Sequence, residues 1–242
     1  MSRVKACLNG GRKPGSHPAL PLTAAQLAAA ARGARDAGAF AVHVHPRAQD
    51  GSQTLDPGPC GEAVTAIRAA CPGLPVGLST GAWMEPDPAR RLELIRAWEH
   101  RPDFVSVNLS EAGAVELVRA LPEIGIGVEA GIWDEADARL FVDEGLAPFC
   151  VRALVEPFGE NGGEAALAMS DAIDRVLDTA GVTLPRVHHS SELATWPVIE
   201  AQLRRSRDVR VGLEDTLRLP DGRQARDNAE LVAAAVALVG SP

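Results

Sequence analysis

Tyrosine is absent from this 242-residue chain, aromatic residues make up only 4% of it, and there are four cysteines. Cys7, Cys60, Cys71 and Cys150 stand far apart without a C-x-x-C pair, so the sequence offers no disulfide framework and suits a reducing compartment. No stretch approaches the ~20 apolar residues that span a bilayer, and the opening "MSRVKACLNGG" has no long apolar signal region. The expected location is therefore cytoplasmic. Basic charge is scarce as well: 24 Lys and Arg face 32 Asp and Glu, a net charge of -8, which leaves no general field for nucleic acid or an anionic membrane. Linkers rich in Pro and Ser are missing, and 46% hydrophobic with 23% charged residues is an ordinary globular composition. A single domain over residues 1–242 is expected.

What the chain does have is alternation. Strand-like segments at 4–9, 40–45, 75–80, 103–110, 125–131, 148–155, 185–190 and 208–214 precede helix-like segments. The latter fall near 23–37, 59–70, 88–99, 112–120, 134–144, 163–179, 193–205 and 227–239. Thr23 stands as an N-cap and Gly38 as a helix stop. Eight β-then-α units in a chain of this length predict an α/β fold of the (β/α)8 TIM-barrel type. An open doubly wound sheet is the alternative. It favours G-x-G-x-x-G at the first βα turn, and "LNGGRKPG" lacks that pattern.

A barrel gathers function at the C-terminal ends of its strands. Polar residues collect there: Asn9 and Arg12 after the first strand, His43, His45 and Arg47 after the second, Ser79 and Thr80 after the third. Ser106 and Asn108 follow on the fourth, Glu129 on the fifth, Arg152 and Glu156 on the sixth, His188 and His189 on the seventh. The last strand brings Arg210, Glu214 and Asp215. All would converge on one axial mouth.

In "AVHVHPR" the histidines are two apart, so on a strand both imidazoles project from one face. Such a pair is either half of a metal site or two hydrogen-bonded polar residues near a loop. A metal needs a further ligand, and Glu214, on the strand that closes against the first, is the candidate. His43, His45 and Glu214 suit Zn²⁺, with Fe²⁺ or Mn²⁺ as alternatives. Adjacent strand residues face opposite ways, so only one of His188 and His189 reaches the mouth. In "RVGLEDT", Arg210 pointing inward needs a carboxylate, and Asp215 invites the pair; it either serves chemistry or closes the barrel as a salt bridge.

"HVHPR", "LSTG" and "VRVGLEDT", together with "LNGGRKPGSHPALPLTAAQLAAAARGARDAGA" and "GRQARDNAELV", resemble in order the beta-keto acid cleavage enzymes. The resemblance implies a zinc-dependent TIM barrel that condenses a β-keto acid with acetyl-CoA and releases acetoacetate and a new acyl-CoA by retro-Claisen cleavage. It implies His43, His45 and Glu214 as metal ligands, Asp215 as base oriented by Arg210, and Glu129 as an active-site carboxylate. Ser79 and Ser106 would hydrogen-bond developing oxyanions. Asn9, Thr80 and Asn108 would contact substrate. It also implies a homo-oligomer, dimer or tetramer, with Trp83 and Trp133 at an interface or a substrate wall.

Two departures from the family stand out. Arg12 occupies the position where the amino-substrate enzymes carry a glutamate, which points to an anionic or polar substrate tail; a CoA phosphate contact or a rim position are the alternatives. The chain is also short, with sparse loops at "STGAWMEPDP" and "EPFGENGGEA", leaving Arg204, Arg205, Arg207, Arg223 and Arg226 as candidate CoA contacts or simply a solvated face. Asn228 is expected to cap the last helix. The rival functions are a zinc-dependent hydrolase or aldolase acting on a keto acid without CoA, and an inactive ligand-binding barrel.

Overall fold

The computed structural model describes residues 2–158 and 162–239. Its strands are β1 (Val4–Cys7), β2 (Ala39–Val44), β3 (Val76–Ser79), β4 (Phe104–Asn108), β5 (Gly127–Ile132), β6 (Arg152–Val155), β7 (Arg186–His188) and β8 (Asp208–Val211). They pair in parallel, each with the next and β8 with β1, into a closed barrel. Helices α1 (Ala24–Asp36), α2 (Pro57–Ala70), α3 (Pro88–Arg96), α4 (Ala114–Ala120), α5 (Glu135–Asp143), α6 (Gly162–Thr179), α7 (Thr195–Arg204) and α8 (Asn228–Leu238) alternate with them. This is the expected (β/α)8 TIM barrel. Among the described residues no helix is long and apolar enough to cross a membrane.

Local chemistry sets the helix starts. Thr23 and Gln26 form a reciprocal capping box at α1, whose buried face is Leu27, Ala31 and Ala34, one turn apart. Asp87 and Asp134 accept hydrogen bonds from the first-turn amides of α3 and α5. At α8 the cap is Asp227, which accepts from the Glu230 amide; Asn228 does another job. Its side chain accepts from the Leu213 amide at 2.8 Å and donates to the Leu8 carbonyl at 2.9 Å. The expected cap is therefore a clasp across the seam where β8 meets β1.

The apolar core lies between the strands and the helices, and the barrel interior holds a buried charge group below the mouth. Lys5 Nζ lies 2.5 Å from Glu129 Oε2, and Arg152 Nε 3.2 Å from Oε1. Lys5 and Arg152 also face the Phe104 ring. Two cations on one carboxylate, with an aromatic face beside them, offset the desolvation that an isolated buried charge would suffer.

Candidate metal centre and active site

His43 and His45 are both buried at the C-terminal end of β2, on the same face as the sequence pattern requires. Their Nε2 atoms lie 3.1 Å apart, and Glu214 approaches with Oε1 3.5 Å from His45 and Oε2 4.0 Å from His43. One donor atom from each of the three lies within 4.8 Å of the others. These separations suit one divalent ion, since bonds of ~2.0–2.2 Å in a tetrahedral shell put ligand atoms about 3.4 Å apart. The hydrogen bonding around them fits the same role. His45 Nδ1 donates to the Gln53 side-chain oxygen at 2.5 Å, which fixes the proton there and leaves a lone pair on Nε2. Glu214 Oε2 is buried with no hydrogen-bond partner.

Protonation favours a ligand set too. Burial drives His43 well below its ordinary value, against the pull of Glu214, so its imidazole is neutral. Burial pushes the Glu214 carboxyl up, but the Arg210 guanidinium, with His45 and His43, overrides it and holds it well below the usual range. Gly10, at φ +53°, lets the loop after β1 lie directly on Glu214: a Cβ there would fall 2.2 Å from Glu214 Cγ.

Beside the triad runs a second chain of charges. Arg210 donates to Glu214 Oε1 at 2.5 Å and to Asp215 Oδ1 at 2.8 Å, so the expected Arg210–Asp215 pair is present and reaches the candidate metal ligand as well. His189 Nδ1 lies 3.3 Å from Asp215 Oδ1, and its Nε2 lies 2.9 Å from Glu156 Oε2. Burial raises the Asp215 carboxyl, but Arg210 and then His189 outweigh it and keep it low. His189 is lowered by burial and Arg210, yet Asp215 and Glu156 bring it above its ordinary value.

His188, on the opposite face, meets Asp174 of α6 at 3.1 Å and plays no part in the mouth. Strand parity allowed only one of the two histidines to reach the mouth, and the fold makes it His189. Gln53 went unrecognised in the sequence, and Glu156 was noted only as a polar strand-end residue without a partner, because nothing local marks a residue that reaches a histidine several positions or a whole strand away.

The mouth is a cavity of about 220 Å³ lined by His43, His45, Ser79, Ser106, Asn108, Glu156, His189, Arg210, Glu214 and Asp215, with Trp83, Trp133 and Phe158 at its walls. Four expected site residues lie outside that lining. Glu129 sits mid-strand, fully buried against Lys5 and Arg152. Thr80 donates to the Ser106 carbonyl at 2.7 Å, and Asn9 clamps the backbone of His45. Arg12 Nε donates to the Leu213 carbonyl at 2.6 Å, and its NH2 pairs with Glu192 at 2.7 Å. Arg47, which closes the "HPR" motif, ties the loops after β1 and β2 together by donating to the carbonyls of Gly10, Arg12 and Gly51.

The candidate CoA cations fare no better. Arg204, Arg205 and Arg207 precede β8 and so lie at the end of the barrel away from the mouth, with Arg205 on Asp171 and Arg207 on Asp174. Arg223 and Arg226 both pair with Glu230. Part of the "EPFGENGGEA" loop, residues 159–161, lies outside the described residues.

Against known proteins, the chain is 24% identical over 255 residues to a 3-keto-5-aminohexanoate cleavage enzyme of Fusobacterium nucleatum, an alignment covering 97% of this chain and 90% of that one. A protein of the same name from Acetoanaerobium sticklandii is 23% identical over 253 residues, again 97% and 90%. Among solved structures, the apo form of ObcA superposes with a TM-score of 0.74 at 14% identity, over 91% of this chain and 61% of that one. A ternary complex of ObcA with a C4-CoA adduct and oxalate gives 0.74 at 15%, over 91% and 63%. The chain thus spans under two thirds of ObcA's length, and that likeness concerns the fold. The sequence pattern of one family covers residues 3–241. With its barrel closed and its HVH and RVGLED segments meeting at one mouth, the chain belongs to the beta-keto acid cleavage enzyme family.

Proposed function

We propose that this protein is a zinc-dependent enzyme that condenses a β-keto acid with acetyl-CoA and cleaves the product to acetoacetate and a new acyl-CoA. The observation that carries the reading is the convergence of His43, His45 and Glu214 beside a fixed Asp215 carboxylate. His43, His45 and Glu214 would hold a divalent ion, which when bound would supply Lewis-acid polarisation of a keto oxygen and so acidify the carbon between keto and carboxyl groups. Fe²⁺ or Mn²⁺ suits the same donors.

The remaining work falls to the chain itself. Asp215, ionised and fixed by Arg210 and His189, is the base that takes the proton from that carbon. Being a weak base, it acts on a carbon already made acidic, and its value lies in position rather than strength. Ser79 and Ser106, side by side in register on β3 and β4, offer hydroxyls to oxygens that gain negative charge. Trp83 lies nearly parallel to His45, 6.1 Å between ring centres, and screens that side of the triad from water.

The test is a mass-resolved assay of zinc-loaded protein with a panel of β-keto acids and acetyl-CoA, beside His45→Ala. Acyl exchange that requires acetyl-CoA and vanishes in the variant supports the reading. Turnover of a keto acid without acetyl-CoA would replace it with a hydrolase or aldolase.

A further inference from the structure

Every charge lining the mouth is already matched. Arg210 is divided between Glu214 and Asp215, and His189 between Glu156 and Asp215. The second oxygen of Glu156 is buried against Gly131 with no hydrogen-bond partner, and does not open on the cavity. Arg12 is held by Glu192 and the Leu213 carbonyl and does not line the cavity; Arg47 is spent on three carbonyls. Among the described residues lining the mouth, no cation is left for an anionic tail and no carboxylate is presented to an ammonium.

What the mouth does present is aromatic. Trp83 is 53% exposed and Phe158 55%, large rings left in water at the rim of a polar cavity. A Cβ at Gly81 would fall 2.1 Å from Trp83 ring atoms, so glycine there lets the indole fold back over the mouth. On the facing wall Trp133 meets Phe158 edge to face at 4.6 Å, with its backbone amide anchored on Asp137 at 2.9 Å. At about 220 Å³ the cavity is below the ~300–1,000 Å³ of sites for drug-sized ligands, so the occupant is small.

We propose that the substrate of this enzyme is a β-keto acid with a short, uncharged, apolar tail, held between Trp83 and the Trp133–Phe158 pair. The inference rests on the β-keto acid activity proposed above and specifies its substrate. A charged tail would shed water here without gaining a partner, whereas an alkyl tail covers exposed rings. Arg12 then serves the rim, not the tail, in contrast to the reading its charge suggests in the sequence.

Three acids of similar size test this: 5-methyl-3-oxohexanoate, apolar; 5-amino-3-oxohexanoate, cationic; and 3-oxoadipate, anionic. Binding to zinc-loaded protein is read by tryptophan fluorescence without acetyl-CoA, and turnover is read separately with it. The apolar acid is expected to bind about 10- to 100-fold more tightly than either charged one, the range available to discrimination by apolar contact and desolvation. Trp83→Ala should narrow that gap, and Arg12→Gln should leave the order unchanged. Tightest binding by a charged acid, a gap indifferent to Trp83→Ala, or no binding by any of the three would overturn the tail assignment. Tight apolar binding without any acyl exchange would count against the cleavage activity alone.

Discussion

Asn9 and His45 are locked to each other through a reciprocal pair of hydrogen bonds. The Asn9 side-chain oxygen accepts from the His45 amide at 2.8 Å, and its nitrogen donates to the His45 carbonyl at 2.8 Å. Both residues are buried, and Asn9 also donates to the Pro21 carbonyl. The side chain of one strand end therefore fixes the backbone that carries a metal-ligand candidate on the next.

Asn9→Ala should loosen that backbone while leaving His43, His45 and Glu214 in place. Partners that orient a ligand typically account for 10–100-fold in metal affinity, so a loss of about that size is expected. Competition for zinc against a chromophoric chelator measures it; an unchanged affinity would mean that Gln53 alone orients His45.

Metal removal should register in stability. A ligand present at 100 times its dissociation constant adds about 2.7 kcal/mol, which in a domain this size corresponds to a fall of roughly 5–10 °C in Tm when a chelator strips it. Glu214→Gln should abolish most of the difference between zinc-loaded and stripped protein by calorimetry. A chelator effect that persists in that variant would place the ion elsewhere.

Glu129 is predicted to hold the barrel rather than the substrate. Lys5→Met leaves its buried carboxylate with Arg152 alone, and breaking a buried pair by removing one partner costs about 3–5 kcal/mol. Urea unfolding should show a loss of that order. A variant of unchanged midpoint but reduced turnover would return Glu129 to the chemistry.

Acid sensitivity should arise on the outside of the barrel, where Asp174 of α6 meets His188, Arg186 and Arg207. Burial and the flanking Arg207 and Arg186 lower His188 from its ordinary value of 6.5, against the pull of Asp174. Burial raises Asp174, but His188, Arg186 and Arg207 outweigh it and bring it from 3.8 to about 2. Both groups bind protons more readily unfolded than folded, so their contribution is full above about pH 6.5 and falls as pH drops, first through His188 and then through Asp174. His188→Gln should flatten the first part of that decline in a series of denaturation midpoints between pH 7.5 and 5. An unchanged slope would locate the acid response in other groups.

Much of this protein is legible in its sequence, for reasons that are local. Periodicity marks strands and helices, capping residues such as Thr23 and Asp134 set helix starts, and the side-chain alternation of a strand puts His43 and His45 on one face. The same alternation separates His189 from His188. The alternation of eight βα units then brings Glu214 from the far end of the chain to the first strands, because a closed barrel makes its last strand a neighbour of its first.

Apart from the local Arg210–Asp215 pair, tertiary structure decided which charge meets which. Lys5 and Glu129 are 124 positions apart, Arg12 and Glu192 180, and no spacing rule links either pair. Their choice follows from burial: once a charged group leaves water it takes whatever opposite charge the packed elements bring within reach. That is why the sequence leaves Arg12 open between a substrate tail, a CoA phosphate and the rim, and the fold ties it to Glu192 and the Leu213 carbonyl. Residue type and period determined the barrel and the metal-ligand candidates, whereas desolvation inside the finished barrel distributed the charges and left the aromatic walls as the open surface of the mouth.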